Sequence, residues 1–389
     1  MTHESLKRLS RSLDSPCACC IIAVTAYLAF MMFRFIIQGH DPSLFIVAGD
    51  LYCDPYSVPD NITVLHNSAG YDGQFYYRFA LDPFTSKQTD FGITLDIPWY
   101  RHQRILYPLI VWTVSFGRPA LIPTMMIAVN LAAIGIMAWL AACLVRLWGR
   151  SCLWGLLIPF FPGFLLAFAR NLAELLEITM LLWGVYLLCK GKPIVTALLF
   201  SAAALIKQTA LIIAISAAFV LLNDMISHKK GSSSKWYIPV VPCLVFLAWR
   251  YTLKLIWGDF PTAGTVIRPV IPFYGIISFL GAAFRHETTF SRLWIPEMLF
   301  ITFFSVAVFR SLTYSRSTGT FIKITWLLYF FFVITLQQSF WVEDWGFLRT
   351  LAEFYLIGIL LLIDTQPKSL KYIAACSLCL WMALFLLRA

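Results

Sequence analysis

Long apolar runs separated by short polar groups set the reading of this chain. Apolar windows fall at 20–38, 121–145, 152–168, 171–189, 193–206, 209–223, 236–257, 294–311, 321–340, 346–364 and 371–388. Most approach the roughly 20 residues a helix needs to cross the hydrocarbon core of a bilayer. Two further runs, 105–117 and 271–284, are short for a crossing and fit re-entrant or interfacial segments. The run from Cys20 to Ile37, behind Lys7, Arg8 and Arg11, is too long for a signal peptide and lacks a small-residue cleavage site after it. It reads as a retained anchor. The pattern predicts an all-α polytopic membrane protein of about 11 transmembrane helices, one membrane-embedded domain over 1–389. Residues 1–19 form the N-terminal segment, 39–120 a large first loop with interfacial helices, and 121–389 a helical bundle.

Basic groups orient this pattern. With 105–117 and 271–284 not crossing, Arg146/Arg150, Lys190/Lys192, Lys229/Lys230/Lys235, Arg310/Arg316/Lys323 and Lys368/Lys371 fall on one face with the N-terminus. The positive-inside tendency makes that face cytoplasmic, with the C-terminus outside, in a plasma (inner) membrane. Eight of the chain's 20 acidic residues are aspartates of the first loop: Asp41, Asp50, Asp54, Asp60, Asp72, Asp82, Asp90 and Asp96. Windows 193–206 and 209–223 meet at Lys207, a hairpin that would set this lysine in a cavity below the outer surface.

Composition agrees with lipid as the main solvent: 60% hydrophobic and 13% charged residues, against about 25% charged in soluble domains. The net charge of +10 is spread between apolar runs, not gathered into a face that could follow phosphates, so nucleic acid is excluded as a partner. Membrane lipids are implied instead. Most of the ten cysteines lie in or beside apolar runs, where Cys is a small hydrophobe. Cys53 stands alone in the loop, so no disulfide is implied there.

Four polar groupings could carry chemistry. In Gly70-Tyr71-Asp72-Gly73-Gln74-Phe75-Tyr76-Tyr77-Arg78 the flanking glycines free the backbone to present Asp72 at a loop tip or helix start. The plain alternative is that Asp72 caps an interfacial helix, which would end at Asp82-Pro83. Arg101 and Arg104, three apart, suit bidentate contact with phosphate oxygens, or else mark the headgroup boundary. Glu174 and Glu177 share a face at the entrance to a span, where ionisable groups face a cavity or a partner; Arg170 is the partner at hand for Glu174. Lys207 and Arg349 are the buried cations placed to meet an anionic group, with Glu343, Asp344 and Glu353 as competing partners. Two glutamates without a histidine are weak evidence for a divalent metal, which stays open as a cofactor. Phosphate-loop, HExxH and GxSxG motifs are absent.

The run Tyr71-Asp72-Gly73-Gln74-Phe75-Tyr76, followed by Arg78-Phe79-Ala80-Leu81-Asp82-Pro83, resembles the Asp-aromatic loop motif of the GT-C fold integral-membrane glycosyltransferases. It is also similar to bacterial membrane proteins linked to cell-surface glycopolymer formation. The resemblance implies a first span, a large external loop with a catalytic Asp, and a bundle of further spans. It further implies transfer of a sugar from a polyprenyl-phosphate donor to an extracytoplasmic lipid or glycan acceptor. One departure is that the adjacent acidic pair of some members is missing; Asp50 stands alone after the first span, so either Asp72 or Asp50 takes the catalytic position. On this reading Arg101, Arg104, Lys207 and Arg349 hold the donor phosphate, and Tyr71, Gln74, Tyr76, Glu174 and Glu177 contact substrate or acceptor. A transporter or flippase of lipid-linked sugars would favour inverted repeats, and none is found. A non-enzymatic subunit of a polysaccharide assembly system needs no particular arrangement of these charges.

Overall fold

A computed structural model describes residues 13–227, 235–258, 271–314 and 319–388. Lys7, Arg8, Arg11, Lys229, Lys230 and Arg316 of the charge argument lie outside these residues. The described residues are 73% helical with almost no sheet. In order the helices are α1 (Pro16–Gln38), α2 (Asp72–Leu81), α3 (Pro98–His102), α4 (Leu106–Val114), α5 (Ile122–Leu147), α6 (Pro162–Ala169), α7 (Glu174–Cys189) and α8 (Pro193–Ile206). There follow α9 (Leu211–Ile226), α10 (Tyr237–Trp257), α11 (Tyr274–Phe284), α12 (Trp294–Ser311), α13 (Gly319–Ile334), α14 (Gln338–Trp341), α15 (Asp344–Thr350), α16 (Ala352–Thr365) and α17 (Ser369–Arg388).

Among the described residues six helical stretches are long and apolar enough to cross a membrane: Pro16–Gln38, Pro119–Leu147, Gln208–Ile226, Tyr237–Trp257, Trp294–Ser311 and Ser369–Arg388. A seventh is formed if α15 and α16, bent by 51° at their junction, make one span. The remaining apolar windows form shorter elements. Window 152–168 is not one helix: a 3-10 turn over Cys152–Leu157 and α6 are separate pieces, with Pro162 opening the second. Proline is favoured there because its missing N–H is an orphan of the first turn anyway. Asn171, at φ 47, turns the chain again before α7. Windows 105–117 and 271–284 are the short helices α4 and α11.

Irregular backbone inside an apolar bundle needs its carbonyls satisfied. Tyr355 donates to the Leu157 carbonyl at 2.9 Å and Tyr27 to that of Pro159 at 2.7 Å, which pins the 157–161 corner between α1 and α16. The Tyr355 ring stacks on Phe161 at 4.2 Å. The core is continuous from Ala23 to Leu384 and includes loop residues such as Phe45, Cys53 and Ile93. The first loop is therefore packed onto the bundle.

Two small sheets shape that loop. Strands β1 (Ala48–Gly49) and β2 (Val64–Leu65) pair in parallel, and β3 (Thr89–Asp90) and β4 (Ile93–Thr94) form an antiparallel ribbon. A Cβ on Gly49 would lie 2.2 Å from the Gly70 nitrogen, so only glycine allows the 47–49 and 68–70 segments to touch. This contact sets where α2 begins.

Candidate active site

Helix α2 opens at Tyr71, whose extended backbone is the N-cap, and Asp72 is its first helical residue. The capping alternative is thereby corrected: no side-chain cap is made, and the Asp72 carboxylate points to arginines instead. The helix stops at Leu81 with Asp82 as its C-cap. Phe75 and Phe79, one turn apart, face α3: Arg101 lies 4.2 Å over the Phe75 ring, and Phe79 stacks on His102 at 4.4 Å.

Three guanidiniums from two distant segments converge on Asp72. Arg101 Nη1 meets Oδ1 at 2.6 Å, Arg349 Nη1 meets Oδ2 at 2.6 Å, and Arg104 Nη1 stands 3.9 Å from Oδ2. Burial alone would raise the carboxyl's pKa, but these cations outweigh it and hold Asp72 ionised, well below the usual carboxylate range. Arg101 is held on its other side by Asp96, through Nε at 2.8 Å and Nη2 at 2.6 Å. Arg104 donates to the hydroxyls of Tyr76 at 3.2 Å and Tyr100 at 2.8 Å. Tyr76 thus orients a cation.

A second cluster lies beside the first. Lys207, extended between α8 and α9, is buried with Nζ 3.1 Å from Glu353, 3.6 Å from Glu177 and 4.0 Å from Glu174. Thr209 donates to Glu353. Glu174 Oε1 is also 3.9 Å from Arg349 Nη1, which links the two clusters. Among the competing anions considered for Lys207 and Arg349, Glu353 is the one engaged; Asp344 is taken by Arg388 at 2.7 Å. Arg170 pairs with neither Glu174 nor Glu177. It lies over the rings of Trp345 at 3.3 Å and Tyr71 at 4.2 Å.

A cavity of about 550 Å³ joins the clusters. Its charged lining is Asp72, Arg101, Arg104, Glu174, Lys207 and Arg349; Tyr100, Gln208, Thr335 and Gln337 add hydrogen-bonding groups, and Phe332 and Phe340 an apolar wall. The cavity combines two carboxylates, several fixed cations and an apolar flank. Such a set can hold an anionic group and accept a proton beside it.

Several expected residues lie elsewhere. Asp50 accepts the amides of Asn67 at 2.8 Å and Ser68 at 3.0 Å, which hold its pKa down, and it does not line the cavity. Gln74 ties the loop together, accepting from Gly49 N at 3.0 Å and donating to the Ala69 carbonyl at 2.9 Å. Glu177 is fully buried behind Lys207, and Tyr71 flanks the Arg349 guanidinium at 4.8 Å. Among the described residues no group of three or more His, Cys, Asp or Glu side chains could hold a metal ion. The three glutamates are instead gathered around an ammonium.

Residues the sequence reading passed over include Asp96, Tyr100, Gln208 and the 335–340 segment. Asp96 stood five residues from Arg101, a signal that could have been used. The 335–340 segment carries none, because its role depends on where α13 ends against α14. The chain matches no protein-family model and no curated protein.

Proposed function

We propose that the chain is a membrane glycosyltransferase that moves a sugar from a polyprenyl-phosphate donor to an extracytoplasmic lipid or glycan acceptor. The observation that carries this reading is the single cavity in which Asp72, Arg101, Arg104 and Arg349 meet. The acceptor oxygen attacks the anomeric carbon while its proton passes to Asp72. The bond from that carbon to the phosphate oxygen breaks, and the phosphate leaves with the electron pair, stabilised by guanidiniums. Arginine forks match phosphate oxygens as well as they match a carboxylate.

The resting pairing of Asp72 makes it a weak base. A donor phosphate competing for Arg101 and Arg349 would remove cations from the carboxylate and so raise its basicity. Binding and activation are coupled in this scheme. Glu174 and Lys207 line the same cavity and can orient the acceptor. The finer arrangement we infer has about 11 crossings, the N-terminus cytoplasmic, and the cavity on the outer side of a plasma (inner) membrane.

Sugar incorporation from a panel of radiolabelled polyprenyl-phosphate sugars, measured in membranes, tests the scheme. Asp72→Asn should lower transfer by about 10²–10⁴-fold, the usual contribution of a positioned base. Full activity in that variant would end the assignment.

A second reading, a carrier or flippase of lipid-linked sugars, draws on the 51° break between α15 and α16 and on the buried Lys207 cluster. Broken helices and buried ionisable groups are common in carriers. Movement of the lipid-linked sugar without transfer, unaffected by Asp72→Asn, would favour it.

A further inference from the structure

A second cationic cavity, of about 270 Å³, shares no lining residue with the Asp72 cavity. Tyr71 stands between them in contact terms: its ring carries Arg349 of the first and Arg170 of the second. Arg34 near the end of α1, Arg170 after α6 and Arg388 at the end of α17 line it, with Gln38 and Trp345. Three remote segments thus deliver three arginines to one small space.

Their charges are only partly matched by carboxylates. Arg34 donates to Gln38 Oε1 at 3.1 Å and to the carbonyls of Ala169 at 2.5 Å and Leu44 at 2.9 Å, all neutral acceptors. The Arg170 side chain makes no ion pair or hydrogen bond among the described residues, and its Nε is buried without a partner. Stacking on Trp345 and Tyr71 holds it in place. Arg388 alone is paired, to Asp344, and its Nε is buried unsatisfied while its guanidinium lies 4.3 Å over Trp345. Three guanidiniums face the paired Asp344 and the exposed Glu343, whose charge also acts on Arg170, and positive charge remains in excess. Cations whose buried donors stand idle are costly unless an anion completes them.

We propose that this cavity binds a phosphate-bearing anion, in the first instance the phosphate of an anionic lipid headgroup. Guanidinium forks suit phosphate oxygens, and the volume holds a phosphate with several waters at about 30 Å³ each. Leu387, which lines the cavity, is 44% exposed, and Leu65 is 38% exposed. That apolar rim suits an acyl chain beside the headgroup. A soluble phosphate shares the same chemistry, and the site stands whether or not the chain transfers sugars.

The test uses the full-length protein in nanodiscs of phosphatidylglycerol or phosphatidylcholine, with retained lipid counted by native mass spectrometry and inorganic phosphate titrated separately. Phosphatidylglycerol should be retained over phosphatidylcholine. Arg170→Gln, which breaks no side-chain hydrogen bond or ion pair among the described residues, should weaken retention about tenfold or more, as loss of a charge-assisted contact does. Arg170→Lys should be intermediate, and thermal unfolding should confirm that both variants fold. Phosphate binding sensitive to Arg170→Gln without lipid retention assigns the site to a soluble phosphate. Binding of both anions unchanged in Arg170→Gln overturns the proposal. So does loss in Arg101→Gln alone, which would place the anion in the Asp72 cavity.

Discussion

Asp72 takes a contact at 2.6 Å on each carboxylate oxygen from arginines 248 positions apart in the chain, 101 and 349. That arrangement makes the carboxylate a stand-in for the anion the same arginines would bind. Asp72→Asn removes the competing charge, so phosphate affinity in the cavity should rise in the same variant that loses transfer. A fall in affinity, read by titration with phosphate, would contradict the exchange scheme. Lys207 presents the opposite case. Its ammonium lies among three buried glutamates, of which only Glu174 also reaches Arg349 among the described residues, so Lys207→Met would leave carboxylates uncompensated. We expect a loss of about 3–5 kcal/mol, visible as a large drop in melting temperature in detergent. His102 supplies a pH effect. Its Nδ1 accepts from the Trp257 indole at 2.9 Å and its Nε2 faces the Pro83 carbonyl at 2.8 Å, so the neutral ring satisfies both partners. Burial, helped by Arg78, lowers its pKa from 6.5 to about 4. The unfolded chain then binds the proton more readily between those values. Stability from this site is present above pH 6.5 and is lost as pH falls toward 4, by on the order of 3 kcal/mol. His102→Gln should flatten that dependence in melting curves, and an unchanged slope would refute the assignment.

At the scale of elements, the Asp72 helix is fixed by what lies against its first turn. A Cβ on Gly73 would sit 2.5 Å from the carbonyl oxygens of Ile46 and Arg170, both backbone atoms that cannot swing aside. Gly73→Ala should therefore cost about 1–3 kcal/mol by overpacking and shift Asp72 off its arginines. Wild-type stability together with wild-type transfer would show that this contact does not set the site. The glycine stood beside Asp72 in the sequence, legible as local freedom but not as close packing. The long helices α1, α5, α10, α12 and α17 follow the apolar windows closely, because an unbroken apolar run has one way to satisfy its backbone in lipid. Window 152–168 did not survive as one helix. Its backbone is held by Tyr27 and Tyr355 from other helices, partners that no local pattern reveals.

For the whole molecule, the orientation inferred from basic residues has a direct consequence. Tyr56, 98% exposed in the first loop, and Lys192, exposed before α8, should lie on opposite faces. Tyr56→Cys should add labelling by an impermeant maleimide in intact cells over the native background. Lys192→Cys should add it only after permeabilisation. The reverse pattern would invert the topology and put the Asp72 cavity on the cytoplasmic side. The packing of the first loop into the main core means that the loop and bundle should unfold together rather than in two steps.

The sequence by itself determined the solvent, the helical class and the residues worth watching. Composition and the length of apolar runs act locally and leave few alternatives in a bilayer. It also marked Asp72, Arg101, Arg104, Lys207, Glu174, Glu177 and Arg349 in four separate groupings, since ionisable groups near membrane depth are costly and need partners, and it left Asp50 beside Asp72 for the catalytic position. Only the tertiary structure decided which partner each one has. Arg349 meets Asp72, Glu353 meets Lys207, and Arg170 turns away from Glu174 to Trp345. Those choices rest on how far α15 enters the bundle and where the 170 turn packs, which are sums of many remote contacts. Periodicity places a charge on a face; it does not say which other face will meet it.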